Sequence, residues 1–320
     1  MGTLARVFSR VTIRYLFRPH LARAMSSPVP IAPETTASNP PAMGAPALAA
    51  LRLELDGIDD ALHDLLMRRA GIVARIGAVA AKGRVALRPG REASIIRRLL
   101  ARNHPPLPAQ AVARIWRELL AATTGMQGGH AVAVCERDPA GAYTQVAREH
   151  FGALTPTRVH HGAAQAMAEL SAGTASVAVL PMPTEDESPR DAWWTVLLPK
   201  DDPRIHVVAR LPFWSPRPEG APRVQALVVS AIAPDPSGRD RSLLGLELAR
   251  DASRARIAGA LVAAGLPPES VILRRDPGAE FAHALADVEG LIADDDLRLG
   301  AIAGVLHRPV VLGSYAVPEE

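Results

Sequence analysis

LRLELDGIDDALHDLLMRRAGIVARIGAVAAK, Leu51 to Lys82, is the stretch that decides the fold. Leu51, Leu55, Ile58, Leu62, Leu65, Ile72, Ile76 and Val79 recur at steps of three, four or seven, the pattern of one long amphipathic helix. At 1.5 Å per residue it spans roughly 45 Å. A helix of that length needs a partner along its whole apolar stripe, either a bundle or another subunit. Arg52 and Arg69 both sit on it, about 25 Å apart along the axis. One small-molecule pocket in one subunit cannot use both. In an antiparallel dimer, Arg52 of one chain meets Arg69 of the other.

Downstream, Gly83 ends this helix and residues 84–89 connect it to a second one, over about 90–103, with Ile95, Ile96, Leu99 and Leu100 apolar. The HPPLP run at 104–108 is a break. A third helix is expected over 108–127, with Pro108 in its first turn and Val112, Ile115, Leu119 and Leu120 on its apolar side. Gly128 and Gly129 stop it. Residues 48–128 thus read as an all-α three-helix domain. Upstream, residues 1–46 read as a disordered or mis-called extension. The first 25 residues are Arg-rich and lack acids, which fits a targeting segment, a membrane-surface helix, or translation that begins at Met25 or Met43. Residues 26–46 are rich in Pro, Ser, Thr and Ala, a linker composition.

The rhythm then changes to α/β over 130–235. Strands are expected at 131–135, 177–180 and 224–232, and helices at 143–151 and 163–172. The Pro- and Trp-rich segment 181–222 has strand character only at Thr195–Leu198 and His206–Leu211. Over 240–317 the order is strand (LLGLEL), helix (SRARIAGALVAAG), strand (VILRR), strand (VEGLIA), helix (DLRLGAIAGVL), strand (VVLGSYA). That βαββαβ order is ferredoxin-like.

Composition narrows the function classes. The hydrophobic fraction of 48% supplies ample core, and the net charge is only +3. With basic and acidic residues interspersed, nucleic acid is not an expected partner. No apolar run reaches the roughly 18 residues of a membrane span. The single cysteine, Cys135, fits a reducing cytoplasm. His160 and His161 have no metal-spaced partner and read as surface loop. Trp193, Trp194 and Trp214 read as satellite core, with ligand stacking as the alternative. Asp296 reads as a cap for the helix after it.

LAALR at 48–52, the stretch ending at Arg69, RPGREASIIRRLL from Arg88, and Thr123 with Gln127 together resemble the all-helical class of chorismate mutase. The resemblance implies an intertwined helical homodimer, paired through the long helix, that converts chorismate to prephenate in phenylalanine and tyrosine biosynthesis. The reaction is an intramolecular rearrangement that needs no cofactor and no metal. Catalysis consists of holding the compact conformer and stabilising charge that grows on the ether oxygen. Carried over by position, Arg69 and the partner's Arg52 bind the two carboxylates, which suits arginine geometry. Glu92 takes the substrate hydroxyl and Arg91 supports that pocket. Gln127 faces the ether oxygen, with Thr123 one turn before it. The family's lysine is Ala80 here, and Lys82 reaches the site only if the helix unwinds before Gly83. The blander readings are solvated charges for Arg52 and Arg69, a local ion pair for Glu92, and a plain helix-end residue for Thr123.

The remainder resembles the dehydratase and ACT regulatory parts of the fused enzyme that carries chorismate toward phenylalanine. GAYTQVAREHFG at 141–152 matches the dehydratase opening. Pro181 survives from a second motif whose glutamate and asparagine are gone, and Val224 stands at the catalytic threonine. The α/β region therefore reads as a degenerate dehydratase-like relic. The tail reads as ACT-like through Ser242–Leu248 and VLGSY at 311–315. Its effector-loop positions, 251–254 and 273–276, do not match. Two other readings stay open: a bifunctional mutase and dehydratase, and a regulatory binding protein of the aromatic pathway.

Overall fold

The computed structural model describes residues 44–79, 87–200, 203–215 and 217–319. Lys82, Ala80, Gly83 and the extension up to residue 43 lie outside the described residues. The chain divides into two units at residue 60, inside the first helix. Of the first unit, the described part is helical from Ala45 onward. Within the second lie the rest of that helix, the other helices and the sheet.

Helix α1 runs Ala45–Val79 and buries none of its residues. Helix α2 runs Pro89–Leu100 and α3 runs Ala109–Gly125. Proline opens α2, where its missing N–H costs nothing. Asp235 caps the next two amides: Oδ1 accepts from Gly90 at 2.8 Å and Oδ2 from Arg91 at 3.1 Å. A carboxylate is favourable at that helix end. Ala93, Ile96, Ala113 and Leu120 of α2 and α3 pack with Phe213 and Ala316. The helix pair is thus fastened to the sheet by a core of its own. Arg97 adds polar anchorage, donating to Ser237 Oγ at 2.9 Å and to the Val317 carbonyl at 2.5 Å.

The expected α/β region forms β1 (Val132–Cys135), α4 (Ala142–Phe151), β2 (Thr157–His160), α5 (Ala163–Ser171), β3 (Val177–Pro181), β4 (His206–Leu211) and β5 (Ala226–Ser230). The final part forms β6 (Asp240–Ala249), α6 (Arg254–Ala263), β7 (Pro268–Arg274), β8 (Phe281–Glu289) and β9 (Val310–Ala316). Among the described residues, nine strands join one sheet, in the order β2-β1-β3-β5-β4-β9-β6-β8-β7. The pairs β1–β2 and β1–β3 are parallel, and β3–β5 and β5–β4 are antiparallel. The run β9-β6-β8-β7 is antiparallel throughout and gives the ferredoxin-like order. A parallel pairing of β4 with β9, Val207 opposite Gly313, connects the two halves.

The sheet explains where the cores sit. One face of the first half packs α5, Trp193, Trp194 and Leu197 in a cluster that extends to Leu243, Leu285 and Tyr315. The other face packs α4 with Val132, Val134 and Val228. Helix α6 covers Leu244, Leu246 and Leu248 with Ala282, Ala284 and Ala286.

Several local expectations are corrected. Thr195–Leu198 is not a strand: Trp193–Leu197 is a 3-10 turn. It is held by Thr195 Oγ1 on the Ala192 carbonyl at 2.8 Å and by burial of both tryptophans, which belong to the main core and are not satellites. The strand placed on VEGLIA lies earlier and only its end overlaps. The last expected helix shrinks to a 3-10 turn, Leu297–Ala301, because the chain becomes extended at Ile302, whose side chain enters the α6 core. Asp296 does cap that turn, accepting from the Arg298 amide at 2.9 Å. His160 ends β2 and does not lie in a loop, and its Nε2 is 3.3 Å from Glu169 Oε1. Among the described residues, no helix is long and apolar enough to cross a membrane.

Candidate functional site

Helix α1 meets α3 along Arg69 and Gly77. Arg69 is half-buried, and its Nη1 donates to Thr123 Oγ1 at 3.2 Å. The guanidinium carbon lies 5.7 Å from the centroid of the Trp116 ring, a cation–π distance. Burial lowers the Arg69 pKa, yet an arginine stays charged at neutral pH. Thr123 is buried, and its own hydroxyl proton has the carbonyls of Leu119 (2.9 Å) and Leu120 (3.0 Å) as acceptors. The hydroxyl is therefore oriented with a lone pair toward Arg69.

Gln127 follows one turn later. A Cβ on Gly77 would stand 3.2 Å from Gln127 Cγ, so the absent side chain lets Gln127 approach α1 closely. Arg69 with Thr123 and Gly77 with Gln127 are successive contacts between the two helices. They set a cation, a hydroxyl and a neutral amide along one seam. Such a seam can bind a carboxylate and donate a hydrogen bond to an oxygen beside it.

Glu92 is engaged elsewhere. Its Oε2 lies 3.2 Å from Arg117 Nη1, with side-chain exposures of 12% and 7%. Burial raises the Glu92 pKa; Arg117 opposes this and Asp235 adds to it. Burial also lowers the Arg117 pKa, to about 10. The guanidinium carbon of Arg117 lies 4.7 Å from the Phe213 ring centroid, and Nη1 is 3.5 Å from His150 Nε2. Arg91 contributes a backbone amide to Asp235 and its side chain is exposed. Arg88 pairs with Asp235 at 3.3 Å. Arg52 is exposed in the other unit. The structure thus brings Arg69, Thr123 and Gln127 to one seam, gives Glu92 a different partner, and leaves Arg91 facing solvent.

Arg117, Trp116 and Gly77 escaped the sequence reading. A signal existed for Arg117. The buried line of α3 is Ala113, Arg117, Leu120 and Thr123, at helical spacing. Of the expected apolar side Val112, Ile115, Leu119 and Leu120, Leu120 is buried but Ile115 is exposed. The small Ala113 permits the close approach instead, and an arginine on that line lies inside.

His150 gives a pH signature. Burial, then the charge of Arg117, holds its pKa well below the ordinary histidine value. Below about pH 6.5 the unfolded chain binds a proton here that the folded chain does not. Stability is therefore present above that pH and falls as pH drops below it, by at most about 1.4 kcal/mol per pH unit from this group. His150→Gln should shrink the fall in Tm between pH 7.5 and 5.5. An unchanged fall would mean that other groups set the acid sensitivity.

In the α/β region, Glu136 occupies the amino end of α4. Its carboxylate accepts from the Thr144 amide at 2.9 Å, Thr144 Oγ1 at 2.8 Å and the Tyr143 amide at 3.4 Å. Those bonds hold its pKa below the ordinary carboxylate value, against the cost of burial. A helix terminus that would suit an anionic ligand is filled by the chain's own carboxylate. Val224, at the catalytic threonine of the resemblance, packs against a hydrophobic cluster and carries no acidic proton.

The chorismate mutase type II family model matches residues 51–128. A bifunctional chorismate mutase/prephenate dehydratase of Pseudomonas aeruginosa is 28% identical over 147 residues, covering 44% of this chain and 40% of that protein. One of the same description from Neisseria gonorrhoeae is 34% identical over 102 residues, covering 32% and 27%. The chain thus matches well under half the length of these curated relatives. A solved prephenate dehydratase from Streptococcus mutans aligns at 15% identity and a TM-score of 0.44, over 60% of this chain and all of that one. The seam between α1 and α3 lies wholly inside residues 51–128, the segment that the chorismate mutase type II family model matches.

Proposed function

We propose that this chain is a chorismate mutase acting as a homodimer through α1. The observation that carries the reading is the seam of Arg69, Thr123 and Gln127 inside residues 51–128. In chorismate an ether bond breaks as a carbon–carbon bond forms, within one molecule. Arg69 binds one carboxylate and the partner's Arg52 the other. Gln127 donates to the ether oxygen as it gains charge, and Thr123 fixes Arg69. Glu92 accepts from the substrate hydroxyl through the oxygen that Arg117 leaves free, and Arg91, exposed at the same end of α2, supports that pocket from its rim. Preorganised donors of this kind act chiefly on the transition state.

Dimerisation is supported by the apolar stripe of α1. Leu62, Leu65, Ile72 and Ile76 are 54%, 60%, 43% and 56% exposed. Contiguous exposed apolar surface of this kind marks an interaction site. The mutase domain is taken as residues 48–128, followed by a dehydratase-like region at 130–235 and an ACT-like region at 240–317. A cytoplasmic location fits the one buried free thiol, Cys135.

The test is loss of chorismate absorbance on addition of purified protein. Turnover well above the uncatalysed rate is expected. A rate equal to the uncatalysed one overturns the proposal. Supplied prephenate should yield no phenylpyruvate, because Val224 offers no proton for expelling hydroxide.

A further inference from the structure

A buried carboxylate needs a cation or it loses its charge. Glu92 sits in the first turn of α2, and the cation that meets it is Arg117, from the middle of α3. Arg117 is itself held from three sides. Glu92 takes Nη1 from α2. The Phe213 ring, just beyond β4, covers the guanidinium face. His150, on α4, approaches the same nitrogen from the sheet side. Two of those three neighbours belong to the α/β region and not to the mutase helices. We propose that Arg117 is the positioning residue for Glu92, and that the α/β region sets how the mutase helices hold this carboxylate, through Phe213 and His150. The inference rests on the proposed role of Glu92 toward the substrate hydroxyl. It gives the dehydratase-like region a task that needs no dehydratase chemistry: it is the wall against which the mutase's acidic residue is aligned.

The charged and titratable groups around the pair can be named. Toward Glu92 stand Arg117 from α3 and Asp235 from the segment after β5, the latter paired with Arg88. Toward Arg117 stand Glu92 and His150, and His150 stays neutral because of its burial. Arg117 is thus the one cation in direct contact with Glu92 among the described residues.

The test uses the full chain with Arg117→Met, Arg117→Lys and Phe213→Leu. The side-chain carboxyl of Glu92 is titrated by carbon-13 NMR, assigned with Glu92→Gln, and kcat and KM for chorismate are followed against pH. Arg117→Met should raise the Glu92 titration midpoint by about one to three pH units, as expected for loss of an adjacent opposite charge. The acid limb of kcat/KM should move up with it. Arg117→Lys should restore most of both, and Phe213→Leu should give a smaller shift in the same direction. A merely structural arginine would lower the amplitude of activity without moving the limb. An unmoved Glu92 titration in Arg117→Met overturns the inference, as does a lysine variant no better than methionine. Should Arg117→Met fail to fold, the lysine and leucine variants still decide by the same two readouts. An inactive wild type would sink the mutase reading alone, since the Glu92 titration is read without substrate.

Discussion

Arg52→Ala and Arg69→Ala should each turn over almost no chorismate, yet the two proteins unfolded and refolded together should regain about a quarter of the wild-type sites. Loss of a single charge-stabilising donor costs a factor on the order of 10² to 10³ in rate. The recovery follows from symmetry. An ideal helix separates the two arginines by about 25 Å, too far for one substrate. In an antiparallel pairing of long helices, each site takes Arg69 from one chain and Arg52 from the other. A two-fold dimer then has two equivalent shared sites. A mixed dimer concentrates both lesions in one site and leaves the other whole. Random pairing makes about half the dimers mixed, hence about a quarter of all sites intact. If wild type refolds normally and the mixture stays as inactive as its parents, the sites are not shared.

Gly313→Val should strongly destabilise the fold. Gly313 has φ +137, a conformation that favours glycine. A Cβ there would overlap the backbone nitrogen and oxygen of Val207, the residue opposite it where β4 meets β9. Backbone, unlike a flexible side-chain tip, cannot swing aside. The expected cost is about 3 kcal/mol or more, the upper end for overpacking. That is a large share of a typical stability of about 5 to 15 kcal/mol. Urea unfolding of Gly313→Val and Gly259→Ala, each against wild type, provides the measure. Gly259 lies in α6, and nothing stands within 4 Å of the Cβ it would carry. Alanine there should stabilise by about 0.5 to 1 kcal/mol. Equal midpoints for the two variants would mean the junction is far softer than its geometry implies.

The periodic parts of the fold were legible, and the reasons for the misses are physical. The stripe on α1 and the apolar runs of β1, β3 and β5 announce themselves by spacing or by unbroken hydrophobicity. Strand β2 does not: TRVH is exposed along its middle, so no alternation marks it. Strand β8 was displaced because Phe281 begins it exposed while Asp287 is buried. The aspartate is satisfied there by Arg241 Nε at 2.7 Å and by the Tyr315 hydroxyl at 2.5 Å. A charge reads as surface until its partners, dozens of residues away, are known. The same limit governs the site. Arg69, Thr123 and Gln127, the candidate residues, stand out in the sequence as an ordered set of residue types on α1, α3 and the turn after α3. Arg117 was not, because its meaning depends on Glu92, Phe213 and His150, which only the tertiary fold assembles.

The union of both halves into one sheet has a consequence for how copies of the chain can associate. An unpaired strand edge is a template for another backbone. Because β4 lies against β9, that flank of the ferredoxin-like part is occupied from within the chain. Among the described residues, the outer strands are β2 and β7. Strand β2 has only four residues and carries Arg158. Strand β7 begins with a proline, breaks register between Pro268 and Ser270, and presents Glu269 in an ion pair with Arg241 at 2.9 Å. Short length, proline, irregular register and charge each discourage a foreign strand. Backbone-to-backbone recruitment is thus discouraged at both of these margins.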